Sequence, residues 1–147
     1  MRETSKMTKI WTRDNWPSDR WPSFSFDEMA CRETGGNLMI PAFMDRLQNL
    51  RDHLGFPLIV TSGYRSLEHS VEAIKPHDRP GSHTYGLAVD ISISGDRAWS
   101  LLHEATNLDF TGIGIKQAGP VKGRFIHLDT LTPDIARHAP RPAVWSY

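Results

Sequence analysis

The chain has 147 residues, 39% hydrophobic and 23% charged, with 17 basic against 17 acidic side chains. That fits one soluble domain with a single core. Zero net charge argues against a nucleic-acid binder, which carries a basic excess, and removes any general attraction to anionic lipid or polymer. The single cysteine, Cys31, excludes an intramolecular disulfide and a Cys-rich structural metal site; buried packing in a helix is its expected role. Met1 to Ile10 carries charges but no apolar run, so no secretory signal or membrane span is expected. Synthesis in the cytoplasm follows, and a substrate outside the cell would require release by something else.

Residues 1–22 stand apart in composition. Arg2, Lys6, Lys9, Arg13 and Arg20 accompany Trp11, Trp16 and Trp21, and Trp-Pro-Ser occurs at 16–18 and at 21–23. The prolines oppose helix and central strand. The segment reads as an extended arm laying its Trp rings on a domain of residues 23–147, or as an aromatic surface for a glycan or partner.

A helix is expected from Ser25, where Ser25 and Glu28 have capping-box spacing, to Gly35 and Gly36. Pro41 to Leu54 predicts a second helix, with Phe43, Leu47, Leu50 and Leu54 on one face. Leu58 to Thr61 is a short buried strand, followed by a Ser62-Gly63-Tyr64-Arg65 turn. Residues 66–74 read as a short helix and 75–81 as loop. Leu87, Val89, Ile91 and Ile93 alternate with Ala88, Asp90, Ser92 and Ser94, a half-buried strand with Asp90 on its polar face. A third helix over Asp96–Asn107 should bury Trp99, Leu102 and Ala105. Gly112–Ile115 and Phe125–Leu128 form a strand pair, and Ala139–Tyr147 an irregular tail packed on the domain. Helices first and strands later make the class α+β, with a small, mostly antiparallel sheet.

The chemistry concentrates in Gly81–Asp90. His83 and Asp90 are seven residues apart, and His127 shares one strand face with Phe125 and Asp129. Two imidazoles and a carboxylate suit zinc, and three protein ligands with an open fourth position is the catalytic arrangement. On spacing alone the other reading stands as well, a loop His bonded to backbone and an Asp ending a strand. His53, His69, His77, His103 and His138 lack supporting neighbours, although His77 could line a cleft. No phosphate loop, Gly-x-Ser-x-Gly elbow or His-Glu-x-x-His helix is present.

Ser82-His83-x-x-Gly86-x-Ala88-x-Asp90, with Thr61-Ser62-Gly63-Tyr64-Arg65 upstream and Gly112-x-Gly114 then Phe125-Ile126-His127-Leu128-Asp129 downstream, resembles the zinc D-alanyl-D-alanine carboxypeptidases and their endopeptidase relatives. These form the DD-peptidase group of the Hedgehog-like fold. Order and rough spacing agree from about Phe24 to Thr130. The closing Arg-Pro-x-x-Trp-Ser-Tyr at 141–147 resembles small phage-encoded members.

The resemblance implies a metallopeptidase, a hydrolase of the peptidoglycan peptide stem, with Zn2+ on His83, Asp90 and His127. It implies Arg65 as the arginine over the site, binding a terminal carboxylate or a developing oxyanion, with Ser82 and Tyr64 beside the substrate. Many relatives carry an acid three residues before the last His; here that residue is Arg124, which takes no proton. Asp129 is the substitute, as general base or as the carboxylate orienting His127. A phage endolysin acting on the cell wall after release, as a monomer, is one role this fits. The rival expectation is a zinc-binding but catalytically silent structural or wall-binding module. The scissile bond, D-Ala-D-Ala, L-Ala-D-Glu or a cross-link, is left open; loops 66–80 and 116–123 are expected to shape it.

Overall fold

The computed structural model describes residues 10–147; Arg2, Lys6 and Lys9 of the basic segment lie outside the described residues. In chain order the elements are α1 (Phe26–Met29), α2 (Pro41–Leu54), β1 (Ile59–Ser62), α3 (Ser70–Ala73), β2 (Ala88–Ser92), α4 (Gly95–Asn107), β3 (Gly112–Lys116), a 3-10 turn (Val121–Gly123), β4 (Phe125–Asp129) and β5 (Ala143–Ser146). The strands lie in one sheet in the order β1-β2-β4-β3-β5. Every pairing is antiparallel except β3 with β5. The fold is α+β with a mostly antiparallel sheet, and no helix among the described residues is long and apolar enough to cross a membrane.

Period-two alternation gives the sheet two different faces. Val89, Ile91, Ile126 and Leu128 are fully buried and pack with Phe43, Leu47 and Leu50 of α2 and Leu101 and Ala105 of α4. The opposite face carries the polar residues described below.

Four local expectations are corrected. The first helix does not run to Gly35: it stops after Met29, with Ala30 extended at φ −78° and ψ 153°. Its capping box at Ser25 and Glu28 is present, but Arg32 Nη1 donates to the carbonyls of Asp27, Glu28 and Ala30 at 2.7–3.0 Å, satisfying the helix end with a side chain. Cys31 is buried, as expected, but in the turn that follows rather than in a helix.

In α4 the buried residues are Ala98, Leu101 and Ala105, while Trp99 is 79% exposed. One residue is about 100° of helix rotation, and the small Ala98 and Ala105 suit the side that faces the core. The tail is not irregular, since β5 adds a parallel strand beside β3, pairing Ile113 with Val144 and Gly114 with Trp145.

Trp11, Trp16 and Trp21 are 6%, 6% and 0% exposed and meet one another with ring centroids 4.9–5.6 Å apart. Each indole N–H has a partner: Met39 O, Phe24 O and Asp45 Oδ1 respectively, at 2.8–2.9 Å. The rings share one core with Met29, Met39 and Phe43.

Candidate metal centre

One row of register partners crosses all five strands on the polar face: Ser62, Asp90, His127, Gly114 and Trp145. Antiparallel pairing of β2 and β4 sets Asp90 directly opposite His127. His83 reaches the same point from the turn before β2. Gly86 lets that turn close: its φ is +72°, and a Cβ there would drive into the carbonyl of Leu38, so only glycine fits. On β1 a bulge between Val60 and Ser62 leads into the Gly63–Arg65 turn. Gly63 passes so close to Met29 that a Cβ would stand 2.7 Å from its carbonyl oxygen.

His83, Asp90 and His127 each bring one donor atom to within 4.8 Å of the others. Asp90 Oδ1 lies 3.4 Å from His83 Nε2 and 3.0 Å from His127 Nδ1. The far nitrogen of each ring is held. His83 Nδ1 is 2.7 Å from Gly63 O, and His127 Nε2 is 2.7 Å from Asp129 Oδ2, with Ser82 Oγ 3.3 Å away. A proton on each held nitrogen leaves His83 Nε2 and His127 Nδ1 as lone-pair donors beside the Asp90 carboxylate. Such outer partners are what orient metal-binding imidazoles. The three donors therefore fit a divalent zinc-like cation, and they leave a position open toward the cleft.

The electrostatics follow from burial and pairing. Burial pushes the His83 pKa below its ordinary value, more strongly than Asp90 raises it. For His127, burial pulls the same way, but the hydrogen bonds to Asp129 and Asp90 win and raise it. Burial would raise the Asp90 pKa, yet the two imidazoles hold it well below the carboxylate range. Asp129 behaves alike: burial is outweighed by His127 and Arg141, and its pKa is lowered to about 2.

Arg65 lies over the centre. Its Nη2 is 3.4 Å from Asp90 Oδ2, its Nε 3.1 Å from Ser62 Oγ and its Nη1 3.7 Å from Glu72 Oε2. Ser82 lines the cleft. Tyr64 does not: it is 7% exposed in the hydrophobic core, where its ring packs. Asp129 is fully buried, and Arg141 grips both of its oxygens, Nε to Oδ1 at 2.9 Å and Nη2 to Oδ2 at 2.8 Å. Arg124 turns its Nε onto Gly119 O at 2.9 Å, away from the cleft.

The cleft in front of His83, Asp90 and His127 holds roughly 450 Å³. Val71, Lys75, Arg79 and Pro80 line it from the 66–80 loop, whereas no residue of 116–123 does. His138, Arg141, Trp145 and Tyr147 also line it. Sequence reasoning missed these four because the tail gave no strand signal, and it set His138 aside although its Nε2 is held 2.9 Å from Pro80 O. It missed Glu72 as well. This carboxylate is 1% exposed and takes bonds from Lys75 Nζ, Gly81 N–H and Thr84 Oγ1 at 2.9–3.1 Å, tying the loop to the His83 turn. A lone Glu in the single turn of α3 carries no periodic signal.

A family model described as Peptidase M15 matches residues 22–129, about three quarters of the chain. No curated protein matches it.

Proposed function

The chain belongs to the peptidase M15 family, and from that premise we propose a zinc metallopeptidase that hydrolyses a peptide bond in the peptidoglycan peptide stem. The observation that carries this reading is the convergence of His83, Asp90 and His127 at the head of an open cleft.

Zinc held there would polarise the substrate carbonyl and lower the pKa of a bound water to near neutrality. The protein's own groups do the rest. His83 and His127 are pre-oriented by Gly63 O and Asp129. Arg65, whose guanidinium faces the site, binds a substrate carboxylate or steadies the oxyanion. Asp129 is the orienting carboxylate of the two roles open to it, because both its oxygens are covered and it does not line the cleft. A base needs reach to the proton it takes. Beyond the three ligands and the arginines, the cleft wall carries exchangeable protons on Lys75, Ser82, His138 and Tyr147. Stem peptides are anionic, and the wall offers Arg65, Lys75, Arg79 and Arg141 against the single acid Asp90. The place of action would be the cell wall, reached after release, with the chain as a monomer.

A second reading is favoured by that same shortage of acid: a zinc-binding module without fast hydrolysis. Elemental analysis of the purified protein and of His83→Ala, with peptidoglycan digested by each and the products weighed, separates the two. One zinc per chain with new muropeptide ends from the parent alone establishes the peptidase and identifies the bond. Zinc without products establishes the silent module, and no zinc refutes both.

A further inference from the structure

We infer that Arg141, which lies beyond the matched region 22–129, is a positioning residue for the metal ligand His127, acting through Asp129. The inference rests on the zinc reading above and extends it to the C-terminal segment.

The geometry is a three-part chain. Arg141 Nε and Nη2 grip Asp129 Oδ1 and Oδ2 at 2.9 and 2.8 Å, and Asp129 Oδ2 in turn lies 2.7 Å from His127 Nε2. A parallel two-point grip fixes the plane of a carboxylate as well as its place. The Arg141 side chain is itself 10% exposed, and Asp129 is 0%. Arg141 Nη1 is anchored on Pro140 O at 2.9 Å, and its guanidinium sits 5.0 Å from the Trp145 ring. That ring stands 5.2 Å from the His127 ring. The C-terminal segment thus reaches the ligand twice, through the Arg141–Asp129 pair and through the Trp145 ring.

The consequence follows from burial. Apart from His127 and Arg141, the donor to the Asp129 carboxylate is the Leu131 N–H at 3.3 Å. Without the guanidinium, Asp129 would be a buried charge lacking its counter-ion, which interiors do not tolerate. It would turn toward other donors, His127 Nε2 would lose its fixed acceptor, and the lone pair on Nδ1 would no longer be held toward Asp90 and His83. Gly112 marks how closely this arrangement is built: a Cβ there would collide with the Asp129 carboxylate.

The test is zinc affinity by chelator competition for the parent, Arg141→Met, Arg141→Lys, Asp129→Asn and the Asp129→Asn/Arg141→Met double variant, with apo-protein thermal melts as the fold control. Losing an outer partner of a metal ligand typically costs about 10–100-fold in affinity. We expect Arg141→Met and Asp129→Asn each to fall in that range, and Arg141→Lys to weaken binding less. The double variant should bind no more weakly than Asp129→Asn alone, because residues acting as one unit do not add. It also keeps the test alive if Arg141→Met fails to fold, since the pair is then neutral. Parent-like affinity in Arg141→Met, or a double variant whose loss is the product of the two single losses, overturns the inference. A parent that binds no zinc refutes the metal reading itself and this inference with it, and measuring the parent first distinguishes that case.

Discussion

Asp90 and His127 face each other as direct partners on neighbouring antiparallel strands, Oδ1 to Nδ1 at 3.0 Å. Sheet register alone therefore brings two of the three ligands together, and only His83 depends on a turn. A site so pre-formed should couple metal binding to stability. Zinc at a hundred times its dissociation constant should add about 2.7 kcal/mol, a rise of about 5–10 °C in melting temperature for a chain of this size. The shift should vanish on adding a chelator and be absent from His83→Ala and His127→Ala. A melting temperature indifferent to zinc in the parent would count against the centre.

Arg65 is held by Ser62 Oγ and lies between Asp90 and Glu72. A planar guanidinium can meet a substrate carboxylate with two parallel hydrogen bonds, which an ammonium cannot. Arg65→Lys should therefore raise KM for an anionic peptide, by about 10–100-fold for the loss of one charged hydrogen bond of roughly 1.5–3 kcal/mol. Zinc content should stay that of the parent. Steady-state kinetics beside metal analysis read both; an unchanged KM removes Arg65 from substrate binding.

Glu72 gives a pH prediction. Burial would raise its pKa, but the bond and charge of Lys75, with Gly81 N–H and Thr84, hold it below its ordinary value. A group whose folded pKa is depressed contributes stability that is present above its unfolded pKa, about 4.3, and is lost as pH falls through the folded value. Glu72→Gln should accordingly be less stable than the parent at pH 7, with the gap closing progressively below about pH 4. Urea unfolding across pH 3–7 checks this, and a gap independent of pH would mean that the ionised form of Glu72 is not what holds the 66–80 loop.

Gly114 lies under Trp145: a Cβ there would stand 2.5 Å from the indole Nε1 and 2.9 Å from Tyr147 Cε2. Gly114→Ala should displace the indole from the His127 side and cost about 1–3 kcal/mol, the usual price of overpacking. Trp145→Ala in the same background removes the closest part of the clash, that with the indole, so the double variant should lose less than the sum of the two single losses. Additive losses in denaturant melts would show that the two residues do not compete for the space.

What could be read in the sequence was whatever repeats or recurs locally. α2 was legible to the residue because Pro41 starts it, Gly55 ends it and Phe43, Leu47 and Leu50 recur between them. Strand alternation placed Asp90 and His127 on faces that could meet, but it left a loop His and a strand-end Asp as an equal reading; His83, in a turn, joined them only through the family resemblance, and the Gly112-x-Gly114 pattern is explained by what lies above it, Asp129 and Trp145. β5 was not legible: Pro140 and Pro142 precede it, and its alternation spans only Ala143–Ser146, too short to show before β3 is there to pair with it. The Arg141–Asp129 pair was hidden for the same reason. Trp99 shows the opposite failure, a large apolar residue assigned to the core that the rotation of α4 leaves in solvent.

The two kinds of tryptophan can be separated by experiment. Trp21 is 0% exposed, packs against Trp11 and Trp16, and donates to Asp45, which Arg20 also grips. Trp99 lies on the outside of α4. Truncating a buried aromatic leaves a cavity and costs about 3–5 kcal/mol, whereas exposed positions usually change stability by no more than about 0.5 kcal/mol. Trp21→Ala should therefore lower the unfolding free energy by several kcal/mol, and removal of residues 1–22 should prevent stable folding, because Trp11, Trp16 and Trp21 are buried in the same core as Met29, Met39 and Phe43. Trp99→Ala should melt like the parent. If the shortened chain still unfolds cooperatively at the parent's temperature, the rings cover a domain that is complete without them.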